Sequence, residues 1–256
     1  MSNTKTLEVR GMTQRFGGLV ALSDINIHVE QGEVLGCIGP NGAGKTTLFN
    51  VITGIYAPTE GSVLLCGEDI TGRKPYAIAD KGISRTFQNI RLFKKLNVED
   101  NIRIGMHTRT STNLIDAIFK TPKKRREDAA SLKRVEEILE LLNMSDHRYD
   151  IADSLPYGGQ RKLEIARAMA TEPKLLLLDE PAAGMNEQET AELVEIIRRL
   201  QKLNYTILLI EHDMKFVMNV CDRIVVLDYG VQIAEGLPDE IKVNPQVIEA
   251  YLGKEA

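Results

Sequence analysis

Residues 39–46 read Gly-Pro-Asn-Gly-Ala-Gly-Lys-Thr, and this octet constrains the chain more than any other stretch. It satisfies the pattern G-x-x-x-x-G-K-[ST] at every fixed position. Val34 to Ile38, just before it, is a short apolar run of strand type, and from Thr47 onward the pattern is helical. Glycines let the backbone turn tightly and bring N–H groups against phosphate oxygens with no Cβ in the way. The helix that follows points its positive end at the same place. Lys45 adds a cation suited to β- and γ-phosphates, and Thr46 adds a hydroxyl able to ligate Mg²⁺. With strand and helix on the correct sides, the octet reads as a phosphate-binding loop rather than a chance glycine-rich turn.

The rest of the composition bounds what such a loop can serve. At 256 residues the chain is one large domain, or one core with a lobe. An apolar content of 43% supports a substantial core. A net charge of −4 argues against nucleic acid as the partner of the whole chain, while leaving local basic patches open. Pure aliphatic runs such as Leu175 to Leu178 are far too short to cross a bilayer. Met1 to Arg10 lacks the apolar stretch of a secretory signal. Cys37, Cys66 and Cys221 are odd in number and have apolar neighbours, which predicts buried, reduced thiols. The histidines are scattered and give no metal-ligand spacing. The expectation is a cytoplasmic chain whose contact with any membrane runs through a partner.

Leu7 to Arg15 alternates loosely as a strand, and Phe16-Gly17-Gly18 ends it. Ala21 to Val29 reads as a second strand, and Gln31-Gly32 turns into the strand before the glycine loop. This antiparallel start predicts a β-rich flap beside an α/β core. The residues alone leave two readings of Phe16, a face on which adenine stacks or a core side chain. Ser62 to Cys66 reads as a strand, Pro75 to Lys81 as a helix, and Ile83 to Gln88 as a strand ending in an amide. Gln88 is placed to bind metal or water there, or is simply a strand-end residue. Asn97 is a candidate N-cap with Asp100 at the capping-box position. Lys123-Lys124-Arg125-Arg126 reads as a solvated basic helix start or as a contact for anionic lipid. Apolar residues recur with helix spacing from Glu127 to Leu142.

Two strand ends carry the remaining candidate chemistry. Lys174 to Leu178 is a buried strand that closes on Asp179-Glu180-Pro181. An acid at a strand end aimed at a phosphate loop holds Mg²⁺ through water. Glu180 is the next residue and points the other way, placed to orient or deprotonate an attacking water. The plainer reading, that both acids cap the next helix, is disfavoured by the apolar strand behind them. Thr206 to Ile210 is a second buried strand, as in a parallel sheet covered on both faces. It ends in Glu211-His212-Asp213, where His212 is either structural or in reach of a γ-phosphate. Ser154 to Gln160 precedes a strong helix, Arg161 to Ala170, and Glu187 to Leu203 is amphipathic. Ile224 to Leu227 and Val231 to Ala234 read as a hairpin, with a helix pair over Pro238 to Leu252 at the end.

Together and in this order, these motifs resemble the ATP-binding cassette (ABC) ATPases, from about residue 6 to residue 252. The resemblance implies an α/β P-loop NTPase core with a mostly parallel sheet, an antiparallel β subdomain and a helical subdomain near 100–165, all within one ABC ATPase domain spanning 1–256. It implies ATP and Mg²⁺ as cofactors. Gly39, Pro40, Asn41, Gly42, Ala43, Gly44, Lys45 and Thr46 would form the Walker A loop, with Thr47 beside them and Phe16 stacking on adenine. Thr46, Gln88 (the Q-loop glutamine) and Asp179 (Walker B) would hold Mg²⁺. Glu180 would be the catalytic base and His212 the switch histidine, with Lys45 and Gln88 completing the catalytic set. Gly184-Met185-Asn186 would be the D-loop.

Two positions depart from the family pattern. The signature loop is usually Leu-Ser-Gly-Gly-Gln. Aligned without gaps from Ile165-Ala166-Arg167-Ala168, it reads Leu155-Pro156-Tyr157-Gly158-Gly159 here, so Tyr157, Gly158 and Gly159 are the candidate nucleotide contacts. One inserted residue would instead place Gly158-Gly159-Gln160 on Gly-Gly-Gln; the ungapped version is preferred. Pro156 replaces the serine and lacks both hydroxyl and N–H. Asn186 stands where aspartate is usual. Within the family, Arg85 to Phe93, the insert after Met106, Pro181 to Gly184, Glu211 to Met214 and Asn244 to Gly253 are similar to the ATP-binding subunits of branched-chain amino-acid importers. The lipopolysaccharide-export ATPases are near relatives and supply the alternative cargo. The resemblance implies work at the cytoplasmic face of the membrane, in a head-to-tail homodimer or a heterodimer with a related ATPase subunit. Integral membrane permease subunits and, indirectly, an extracytoplasmic substrate-binding protein would be partners. A soluble ABC ATPase acting on DNA or ribosomes would want tandem cassettes, a long coiled coil or a basic surface, which the sequence lacks, so no nucleic acid is expected.

Overall fold

The computed structural model describes residues 4–106 and 122–252. Lys5–Phe16 (β1) and Leu19–Glu30 (β2) pair antiparallel. Glu60–Leu65 (β4) and Glu68–Asp69 (β5) extend them to a sheet of order β2-β1-β4-β5. Val34–Ile38 (β3), Ile83–Arg85 (β6), Leu175–Asp179 (β7), Ile207–Ile210 (β8), Arg223–Asp228 (β9) and Val231–Gly236 (β10) form the second sheet, in the order β10-β9-β3-β8-β7-β6. From β9 to β6 the neighbours are parallel, and β10 folds back antiparallel on β9.

The central strands are apolar on both faces because both faces are covered. Leu35, Cys37, Leu175, Leu177 and Leu208 enter the core shared with the antiparallel sheet, along with Lys45–Ile52 (α1) and Pro75–Lys81 (α2). Their strand neighbours Val34, Ile38, Leu176, Leu178 and Leu209 point into the opposite core. That second core takes side chains from Val98–Gly105 (α3), Pro122–Leu141 (α4), Tyr157–Met169 (α5), Glu187–Lys202 (α6) and Met214–Val220 (α7). Pro238–Lys242 (α8) and Pro245–Leu252 (α9) finish the described chain. Strands β3, β7 and β8 all end on one side. The loops at 39–44, 180–186 and 211–213 therefore gather at the carboxyl edge of a parallel sheet, where open α/β sheets place ligands.

Local physics moves several boundaries from their sequence-based positions. The helix after the glycine loop starts at Lys45 rather than Thr47, because Gly44 adopts a left-handed conformation (φ 100°) as its N-cap. β6 stops at Arg85 rather than Gln88. The carbonyls of Phe87 and Gln88 are taken by the Arg161 side chain, at 2.9 and 2.5 Å, instead of by a strand ladder. α5 begins at Tyr157 rather than Arg161, with Pro156 as N-cap. Two early glycines cost a helix about 1 kcal/mol each against alanine. Packing overrides that cost at Gly158, where a Cβ would stand 2.5 Å from a Glu189 carboxylate oxygen. α4 begins at Pro122 rather than Glu127. Cys66 is exposed, contrary to the expected burial, because β4 has ended and Cys66-Gly67 make a tight turn with φ of 50° and 79°. Cys37 and Cys221 are buried, and all three thiols are free. The segment 107–121 of the expected helical lobe, and the side chains of Lys123 and Lys124, lie outside the described residues.

Candidate functional site

The glycine loop leaves β3 and enters α1 under two steric demands. At Gly39 (φ 149°) a Cβ would meet the Leu227 carbonyl at 2.0 Å. At Gly44 a Cβ would meet the Ala21 carbonyl at 2.8 Å. Both glycines are therefore fixed by the approach of β9 and β2 as well as by φ. Ala43 accepts from the Gly230 N–H at 3.1 Å, which ties the loop to the β9–β10 turn. Lys45 folds back over its own loop, its ammonium donating to the Gly39 and Pro40 carbonyls at 2.6 and 2.9 Å. Burial holds that ammonium below the ordinary lysine value, with Cys37 and Glu180 pulling the other way.

This loop floors a cleft of about 410 Å³. Asn41 to Thr47 line its base, Phe16, Leu19 and Val20 one wall, and Glu180 and His212 another. Phe16 is at the mouth, 40% exposed, with Tyr56 packed edge-on against it at 5.0 Å. Thr46 is exposed and Thr47 half-buried at the start of α1.

Glu180 sits immediately after β7 in the left-handed region (φ 49°), which is strained for a glutamate. Its backbone N–H still bonds the Ile210 carbonyl at 2.9 Å, so the sheet holds its position. The carboxylate Oε2 accepts from the Gln88 amide at 2.9 Å and lies 3.2 Å from His212 Nε2. The structure thus brings Lys45, Gln88, Glu180 and His212 to one place. Asp179 lies behind them, 5% exposed, in an ion pair with Arg85 at 2.7 Å. Tyr157, Gly158 and Gly159 are not brought to this cleft. Gly158 and Gly159 line a different one, with Leu155, Met185 and Glu189. The Tyr157 ring lies against Gly184, 3.0 Å from where its Cβ would stand.

Four further residues build the site, and sequence reasoning assigned a role to none of them. Arg85 pairs with Asp179, reaches Asn50 at 2.8 Å and sits over the Phe49 and Phe87 rings. Glu211 is buried, and its carboxylate accepts from the N–H groups of Ala182, His212 and Asp213. Burial raises its pKa above the ordinary carboxylate value, against those three hydrogen bonds. It thereby fixes the loops that carry Glu180 and His212 with one side chain. Arg161 and Glu164 on α5 hold the backbone around Gln88. For two of them the available signal was a charged residue at the end of a strand: Arg85 closes Ile83–Arg85, and Glu211 follows the apolar Ile207 to Ile210.

Residues 22–183 match the family model described as ABC transporter. Residues 231–256 match the one described as branched-chain amino acid ATP-binding cassette transporter. The chain is 49% identical over 249 residues to the high-affinity branched-chain amino acid transport ATP-binding protein BraF of Pseudomonas aeruginosa, covering 97% of this chain and 98% of that one. It is 47% identical over 249 residues, with the same coverage, to the corresponding protein LivG of Escherichia coli. Its fold superimposes on the crystal structure of the ADP conformation of MJ1267, an ATP-binding cassette of an ABC transporter, with a TM-score of 0.85 and 33% identity over 98% of this chain and 99% of that one. A family model across most of the core, and relatives this similar from end to end, place the chain in the ABC transporter family, as one of its ATP-binding cassettes.

Proposed function

We propose that this chain is the ATP-hydrolysing subunit of an importer for branched-chain amino acids, working at the cytoplasmic face of a membrane. The observation that carries the reading is the end-to-end likeness to two branched-chain amino acid transport ATP-binding proteins, which includes the segment 231–256.

ATP enters the cleft with its base on Phe16 and its phosphates over Gly39 to Thr47. Lys45 exchanges the Gly39 and Pro40 carbonyls for phosphate oxygens. The donor set for Mg²⁺ fits its chemistry. The Thr46 hydroxyl, the Asp179 carboxylate and the Gln88 amide oxygen are all hard oxygen donors, and a magnesium ion needs few of them when phosphates and water fill the rest. Mg²⁺ bound there supplies charge neutralisation at the phosphates. Glu180 orients and deprotonates the attacking water, held for this by Gln88, and His212 stabilises charge developing on the γ-phosphate. Of the signature residues, Gly158 and Gly159 face a separate cleft, and a second cassette, identical or related, completes each site head to tail. The segment Gln88 to Phe93 hands the resulting motion to a permease subunit.

Purification of the tagged chain from its native membranes in mild detergent tests the reading. Permease subunits that copurify, with ATPase activity stimulated by a leucine-loaded binding protein, are expected. Lipid-export partners would overturn the cargo and leave the chemistry standing. The absence of any membrane partner would overturn the transport role.

A further inference from the structure

Two buried charges on the signature helix α5 hold the loop that carries Gln88. Arg161 (3% exposed) forks across two consecutive carbonyls, Phe87 at 2.9 Å and Gln88 at 2.5 Å. Glu164 (2% exposed), one turn on, accepts from the Phe87 and Arg91 N–H groups, both at 3.3 Å, and pairs with Arg161 at 3.5 Å. The Arg161 guanidinium also lies over the Tyr157 ring, 5.4 Å from its centroid. A continuous chain of contacts therefore runs from Tyr157 through Arg161 to the Gln88 backbone, and from the Gln88 amide to the Glu180 carboxylate at 2.9 Å. A buried pair of this kind is a poor source of stability, because desolvating two charges offsets most of their attraction. Its value here is rigidity. A planar five-donor fork across two adjacent carbonyls fixes the loop more tightly than any single bond.

The two ends of this chain belong to different nucleotides. On the head-to-tail reading proposed above, on which this inference rests, Tyr157 and Gly158 face the ATP held by the partner cassette, whereas Glu180 acts on the ATP held by its own. We propose that Arg161 is a positioning residue that transmits occupancy of the partner's nucleotide site to Glu180, so that the two sites of the dimer hydrolyse cooperatively. Seating of α5 on the partner's ATP moves Arg161, Arg161 moves the Gln88 backbone, and the Gln88 amide sets the Glu180 carboxylate for attack.

The test uses the transporter purified with its permease subunits, carrying R161M/E164Q. Met fills the arginine's volume, and Gln keeps an oxygen for the Phe87 and Arg91 N–H groups without stranding a charge. The expected result is nucleotide affinity within about twofold of the parent, turnover lowered about tenfold, and a Hill coefficient for ATP that falls from near two to one. Arg161→Lys, which keeps Glu164 paired but cannot span two carbonyls, guards against a misfolded double variant and is expected to lose cooperativity too. A role confined to folding would lower the melting temperature and leave the Hill coefficient alone. Parent-like cooperativity in both variants overturns the inference, as does lowered turnover with cooperativity intact. A parent complex that does not hydrolyse ATP would instead overturn the functional reading itself.

Discussion

At the scale of single residues, Glu180 is where geometry and chemistry meet. A glutamate at φ 49° is held there by the sheet on one side and by Gln88 and His212 on the other. Glu180→Gln keeps the shape and removes the proposed base, so the variant is expected to bind ATP like the parent and to lose about 10²-fold or more in turnover. Single-turnover hydrolysis alongside nucleotide titration separates the two effects; parent-like turnover would remove Glu180 from its role. Lys45→Ala is expected to abolish tight ATP binding, measured by the same titration. The lysine also gives binding a pH dependence with a defined sign. Burial lowers its pKa from the ordinary 10.5, and phosphate favours the ammonium form, so ATP binding takes up a proton at alkaline pH. Affinity for ATP should therefore begin to weaken with rising pH before 10.5 is reached. The meeting of Lys45, Glu180 and His212 at one cleft was legible in the sequence because each stands near the end of an apolar strand or in a fixed glycine pattern. Glu211 also follows an apolar strand, but its contacts were not legible, because they come from three N–H groups of two loops that meet only in the folded protein.

At the scale of elements, helix starts carry most of what the sequence did not show. Asn186 departs from the family's aspartate, and the structure gives the substitution a use. Its side chain accepts from the Glu189 N–H at 2.9 Å while the Glu189 carboxylate accepts from the Asn186 N–H at 3.0 Å, a full capping box opening α6. Aspartate and asparagine cap about equally well. Asn186→Ala should cost about 1 kcal/mol in denaturant unfolding, and Asn186→Asp close to nothing. Gly158→Ala attacks the same box from the other side, since its Cβ would stand 2.5 Å from the Glu189 carboxylate. It should lower the melting temperature even in the absence of nucleotide. Hydrophobic periodicity located the strands and helices well, but the start of α5 was missed by four residues. The missing information was tertiary: Gly158 reads as a loop residue until Glu189 of α6 is packed against it.

At the scale of the whole molecule, the proposed transport role asks for a surface on which a membrane partner can dock. Among the described residues no helix is long and apolar enough to cross one. A groove of about 550 Å³ opens beside the Gln88 loop, walled by Arg91, Leu92 and Phe93 on one side and Gly105, Glu164 and Arg167 on the other. Arg167 lies over the Phe93 ring, so the groove offers cation and apolar surface together, which suits an amphipathic segment of a permease. The competing attachment is electrostatic, through the basic run that opens α4, against anionic lipid. The two differ in their response to salt. At about 1 M ionic strength the screening length shrinks to roughly 3 Å, and a lipid contact made by the charges of that run is lost. A protein docked in a groove with its apolar surface buried stays bound. The chain is therefore expected to remain with washed membranes in high salt when permease subunits are coexpressed. It is expected to sediment neither with membranes lacking them nor with protein-free anionic vesicles. Release from permease-containing membranes by salt alone would transfer the attachment to the basic run and overturn the groove as a docking surface.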